Sequence, residues 1–145
     1  MRKFIFAMVA SFVMLPSIAN AQIVIKEKTK IETIKSLRLG NVRLECSDEY
    51  YMLTIASDNS LEEPYVLALG LGKAQAAASL KTLISLSSSL KKNEFVDFTS
   101  GSQEFTICRG LVKNEIWLNN KFHVGRGRIS KNELDALLDS ILFCN

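Results

Sequence analysis

Apolar and polar positions alternate with a period of two along most of the chain, and the period lengthens to that of a helix in two places. Val42-Arg43-Leu44-Glu45-Cys46 alternates strictly. With Leu37-Arg38-Leu39 before it and Gly40-Asn41 between, it predicts two strands around a two-residue hairpin turn. Ser47-Asp48-Glu49 then turns the chain into Tyr50–Ser57, where Tyr51, Leu53 and Ile55 share one face. The polar loop from Asp58 to Pro64 leads to Tyr65–Leu69, apolar throughout and so read as an interior strand. From Lys73 to Leu90, the residues Ala76, Leu80, Leu83, Ile84 and Leu90 recur at helical spacing.

The same order follows a second time. Phe95–Phe98 and Gln103–Arg109 flank the turn Ser100-Gly101-Ser102, with Phe105 and Ile107 on one face of the second strand. Glu115–Asn119 and Phe122–Val124 are two more short strands. Leu134, Leu137, Leu138, Ile141 and Leu142 form the apolar stripe of a C-terminal helix, opened by a capping box in which Ser130 precedes Glu133 by three. Each half enters its helix through a Gly-x-Gly-basic tetrad, Gly70-Leu71-Gly72-Lys73 and Gly125-Arg126-Gly127-Arg128, and each closes its second strand with a cysteine, Cys46 or Cys108. The expected fold is α+β: antiparallel sheets and two helices, in two successive ββββα halves. That layout is similar to those of the whirly- and PUR-type nucleic-acid-binding folds. The likeness is one of topology alone, without motif residues, and implies single-stranded nucleic-acid binding only as an alternative function.

The first 21 residues follow a different logic. Arg2 and Lys3 precede an apolar run from Phe4 to Leu15, Pro16 ends it, and Ala19-Asn20-Ala21 is a small-x-small cleavage pattern. The run is shorter than the ~20 residues that a membrane span needs. Residues 1–21 are therefore read as a signal peptide, and 22–145 as one α+β domain delivered to the periplasm or secreted, with no membrane span in the mature chain. Position 22 is Gln, so no lipid anchor is indicated. Export leads to an oxidising compartment, where Cys46, Cys108 and Cys144 allow one disulfide. Cys46 shares the Val42/Leu44 face and Cys144 continues the apolar stripe of the last helix, which favours Cys46–Cys144, with Cys108–Cys144 as the alternative.

Composition adjusts the picture once the leader is removed. The full chain carries 18 basic and 15 acidic residues, net +3; without Arg2 and Lys3 it carries 16 and 15, net +1. What remains is segregated charge. No Lys or Arg occurs between Leu44 and Gly72, where Glu45, Asp48, Glu49, Asp58, Glu62 and Glu63 all fall, whereas 109–131 is basic. Lys121, Arg126, Arg128 and Lys131 run into a helix N-terminus, whose free N–H groups attract anions. They are the candidate ligand-binding residues, for an anionic ligand or the acidic surface of a protein partner.

Other chemistry is weakly marked. Neither glycine tetrad has Walker or dinucleotide spacing, so no cofactor is expected. A single histidine and the absence of CxxC argue against a metal site. Asp58-Asn59-Ser60-Leu61-Glu62 offers oxygens, but not at EF-hand spacing. A thiol nucleophile would have to be Cys108 with His123 as its base, which makes a small extracytoplasmic hydrolase an alternative to a non-enzymatic binding or accessory module.

Overall fold

The computed structural model describes residues 29–143. The signal-peptide assignment, the cleavage point after Ala21 and Cys144 with both of its candidate disulfides lie outside the described residues.

The elements run β1 (Glu32–Leu37), a 3-10 turn (Arg38–Gly40), β2 (Val42–Ser47), β3 (Tyr50–Ile55), β4 (Tyr65–Leu71) and α1 (Gly72–Ser89). The second half follows as β5 (Phe95–Ser100), β6 (Gln103–Arg109), β7 (Glu115–Asn119), β8 (Gly127–Ser130) and α2 (Lys131–Leu142). Each half is a four-stranded antiparallel meander in sequence order, β1-β2-β3-β4 and β5-β6-β7-β8, followed by its helix. The fold is α+β in two ββββα halves.

Register explains which faces are buried. Val42 pairs with Ile55 and Leu44 with Leu53, and those two pair onward with Tyr65 and Leu67. In the second sheet Ile107 pairs with Leu118 and Ile116 with Ile129. All of these are buried, and they form one cluster with Leu80 and Leu83 of α1 and Leu134, Leu137 and Ile141 of α2. Full burial of each such side chain contributes roughly 1.5–3 kcal/mol, so both halves draw stability from the same core. The helices pack against each other and across the repeat: α1 reaches β7 and α2 reaches β1. The sheets also meet directly, where Ser57 bridges to Gly127.

Two strands fall elsewhere than the alternation predicts. The first runs Glu32–Leu37, with a bulge between Thr33 and Lys35, and ends where the backbone turns left-handed. Arg38 and Leu39 are not strand residues. They take left-handed φ values of 51° and 55° in the turn before β2, and Leu39 points fully into solvent. The last strand is not Phe122–Val124, whose Phe122 and Val124 are 81% and 90% exposed, but Gly127–Ser130.

The two glycine tetrads consequently differ. Gly70 and Gly72 have φ of 123° and 82° and steer β4 into α1, a conformation that costs glycine nothing. The second tetrad opens a strand instead of a helix. A Cβ on Gly127 would lie 2.9 Å from the Tyr65 ring and 3.3 Å from Ile55, so close packing accounts for this glycine. The capping box is present: Ser130 Oγ accepts from the Glu133 amide at 3.3 Å, and Glu133 Oε2 accepts from the Ser130 amide at 2.9 Å. Among the described residues, no helix is long and apolar enough to cross a membrane.

Candidate anion-binding site

The acidic and basic segments that stand apart in the sequence are docked on each other. Glu62 is the hub. Its carboxylate accepts from the amides of Val124 (2.7 Å) and Gly125 (2.9 Å), from the Ser57 hydroxyl (3.0 Å) and from Asn59 Nδ2 (3.1 Å). Loss of solvent pushes this carboxyl up, but those hydrogen bonds, led by Val124 and Gly125, outweigh it and hold Glu62 below the ordinary glutamate range. Beside it, the Arg126 amide donates to Asp58 Oδ1 at 2.7 Å and the Asp58 amide donates to the Arg126 carbonyl at 2.9 Å. The buried Tyr65 hydroxyl donates to the Gly125 carbonyl at 2.7 Å. Much of the acidic loop is therefore used on backbone N–H groups of the other half, and the Arg126 side chain is left pointing outward.

That arrangement builds a cavity of about 260 Å³ lined by Arg38, Asn41, Ser57, Asp58, Arg126 and Arg128, among others. Each arginine is positioned differently. Arg38, on the left-handed turn, forms an ion pair with Glu133 and donates to the Arg128 carbonyl, which ties the first half to the start of α2. The Arg126 guanidinium lies 4.4 Å from the ring centre of Trp117, a cation–π contact. The indole is fixed in turn by its N–H donating to Glu115 at 2.7 Å. Arg128 is the cross-strand neighbour of Trp117. Its exposed guanidinium has no partner among the described residues. Asn41, which turns the chain into β2, adds an amide to the rim.

Of the four residues singled out in the basic stretch, Arg126 and Arg128 share this cavity and the other two do not. Lys121 sits 5.3 Å from the Phe122 ring and lines a separate cleft of about 740 Å³ with Glu63, Glu104 and His123. Lys131 is paired with Asp135 at 2.7 Å, one turn along α2. The start of α2 is already served by the capping box, and Glu133 also carries the Arg38 ion pair. Arg38 and Asn41 were not marked by the sequence, because their turn lies far from the basic stretch and reads as strand and hairpin.

The remaining candidates have their own surroundings. Cys108 lies on the outer face of the second sheet, in register between Phe95 and Trp117, and Asn119 Nδ2 is 3.7 Å from its sulfur. His123 stacks on Tyr65, ring centres 4.7 Å apart. Its Nδ1 is 2.9 Å from Asn120 Oδ1 and its Nε2 is 2.8 Å from the Glu63 carbonyl oxygen. No hydrogen bond joins Cys108 to His123, and both ring nitrogens of His123 have other partners. Cys46 packs against the core from the Val42/Leu44 face, and among the described residues no disulfide joins Cys46 to Cys108. The oxygens of Asp58, Asn59 and Glu62 are engaged by donors of the loop and of residues 124–126. Among the described residues, no group of His, Cys, Asp and Glu is arranged to hold a metal ion. Compared with protein-family models, with curated proteins and with solved structures, the chain matches none.

Proposed function

We propose that this chain is an exported, non-enzymatic binding module that takes an anionic group, carried by a small ligand or a protein partner, in the cleft of Arg38, Arg126 and Arg128. The observation that carries the reading is that three arginines line one cavity, two of them without a carboxylate partner. Guanidinium is planar, permanently charged and able to donate two parallel hydrogen bonds to a phosphate or carboxylate. Exposed arginines are ordinary on a solvated hairpin. Here, however, Arg126 is held against Trp117 and Arg38 is anchored at both its ion pair and its carbonyl contact, so part of the ordering cost of binding is already met. Asp58 lines the same cavity, but its Oδ1 is engaged by the Arg126 amide. Export rests on the charged, apolar and small-x-small order of residues 1–21.

Isothermal titration of the mature protein with pyrophosphate tests the site. Arg126→Ala combined with Arg128→Ala should weaken binding by about tenfold or more, while Lys121→Ala combined with Lys131→Ala should leave it unchanged. Equal affinity in wild type and the arginine variant would remove the proposal.

A further inference from the structure

A second cavity, of about 330 Å³, lies between the two halves, where the outer edge of β4 faces the β5–β6 hairpin. Its origin is a strand pairing that is not made. β4 forms a backbone ladder only with β3 and β5 only with β6. Between the two edges, the Ser100 hydroxyl accepts from the Ala68 amide at 2.6 Å and lies 3.2 Å from the Ala68 carbonyl. One side chain stands in for a ladder between these two edges.

The gap is apolar. Its inner surface is formed by the buried Leu67, Leu83 and Ile107 and its sides by the half-buried Leu86, Val96 and Phe98. No charged side chain lines it. Two of the hydroxyls at its rim are engaged by backbone: Ser79 donates to the Leu69 carbonyl at 2.7 Å and Thr82 to the Ala78 carbonyl at 3.1 Å. A charged group inside would find no counter-ion, and a strongly polar one few partners. The volume falls within the range of roughly 300–1,000 Å³ typical of small-molecule sites.

We propose that this cavity binds a small, uncharged, hydrocarbon-rich molecule, held by apolar contact and shape. The site is separate from the arginine cleft and does not depend on it. The test is a fluorescence titration of the mature protein with N-phenyl-1-naphthylamine, a neutral aromatic probe. Saturable enhancement that 1-decanol displaces is expected. Thr82→Trp, at an exposed rim position, and Val96→Phe, in the wall, should each weaken the probe by about tenfold or more with an unchanged circular dichroism spectrum. Arg126→Ala combined with Arg128→Ala should bind the probe as wild type does. The proposal is overturned if enhancement does not saturate, if both filling variants bind as wild type, or if the protein is a dimer that excludes the probe.

Discussion

Glu62 shows what the acidic segment is for at the scale of one residue. A carboxylate with two backbone amides, a hydroxyl and a carboxamide on its oxygens is stabilised in its charged form. Its proton affinity in the folded chain is consequently lowered from the ordinary 4.5. The sign follows from linkage. Above the unfolded value both states are ionised and the contribution is complete. As the pH falls from there through the folded value, the unfolded chain takes up a proton that the folded chain has not, and the contribution is lost. The contribution of Glu62 to the thermal midpoint should therefore fall in acid, below about pH 4.5. Glu62→Gln should start from a lower midpoint at neutral pH and show a shallower acid decline. Superimposable curves for the two proteins would show that the carboxylate does not hold the 57–63 loop to residues 124–125.

Among the elements, β8 is the one whose placement depends most on distant partners. Gly127 lets β8 approach the ring of Tyr65 and the side chain of Ile55, leaving no room for a methyl group. Gly127→Ala should destabilise the fold by about 1–3 kcal/mol through overpacking, read as a shift in the denaturant midpoint. No change would mean that β8 sits farther from the first sheet. The contrast with α2 explains what could be read from sequence. The capping box and the stripe Leu134, Leu137 and Ile141 are short-range signals, and so is the alternation of β2, which is why these elements fall where their patterns place them. β1 falls earlier than its pattern because Arg38 and Leu39 take a left-handed turn that alternation does not mark. β8 was displaced because a glycine chosen for tertiary packing looks identical to one chosen for a turn. In the candidate site, Arg126 and Arg128 were visible as part of a basic run. Arg38 was not, since its contribution depends on a left-handed turn brought across from the other half.

At the level of the whole molecule, Glu62 and Asp58 of the acidic segment join the two halves through backbone amides of residues 124–126, and Arg126 and Arg128 face outward into the arginine cleft. Tyr65 is the buried member of this junction, contacting Gly125 and His123 of the second half from β4 of the first. Burial foremost, and the Glu62 carboxylate next, push its hydroxyl up to about 12 from 10.0. The unfolded chain loses this proton first, so the stabilising contribution is complete below about pH 10 and is lost as the pH rises toward 12. Tyr65→Phe should cost about 1–3 kcal/mol at neutral pH by leaving the buried Gly125 carbonyl without its donor. Its loss of stability between pH 10 and 12 should be shallower than that of wild type, as followed by denaturant unfolding.

The arginine cleft is assembled by that same junction, so locating the bound anion tests both together. The most direct measurement is a two-dimensional amide NMR titration of residues 22–145 with pyrophosphate, in wild type and in Arg126→Ala combined with Arg128→Ala. Saturable shifts centred on Arg38, Asn41, Ser57, Asp58, Arg126 and Arg128 are expected in wild type and absent from the variant. Shifts centred on the surface lysines, or equal in the two proteins, would contradict it.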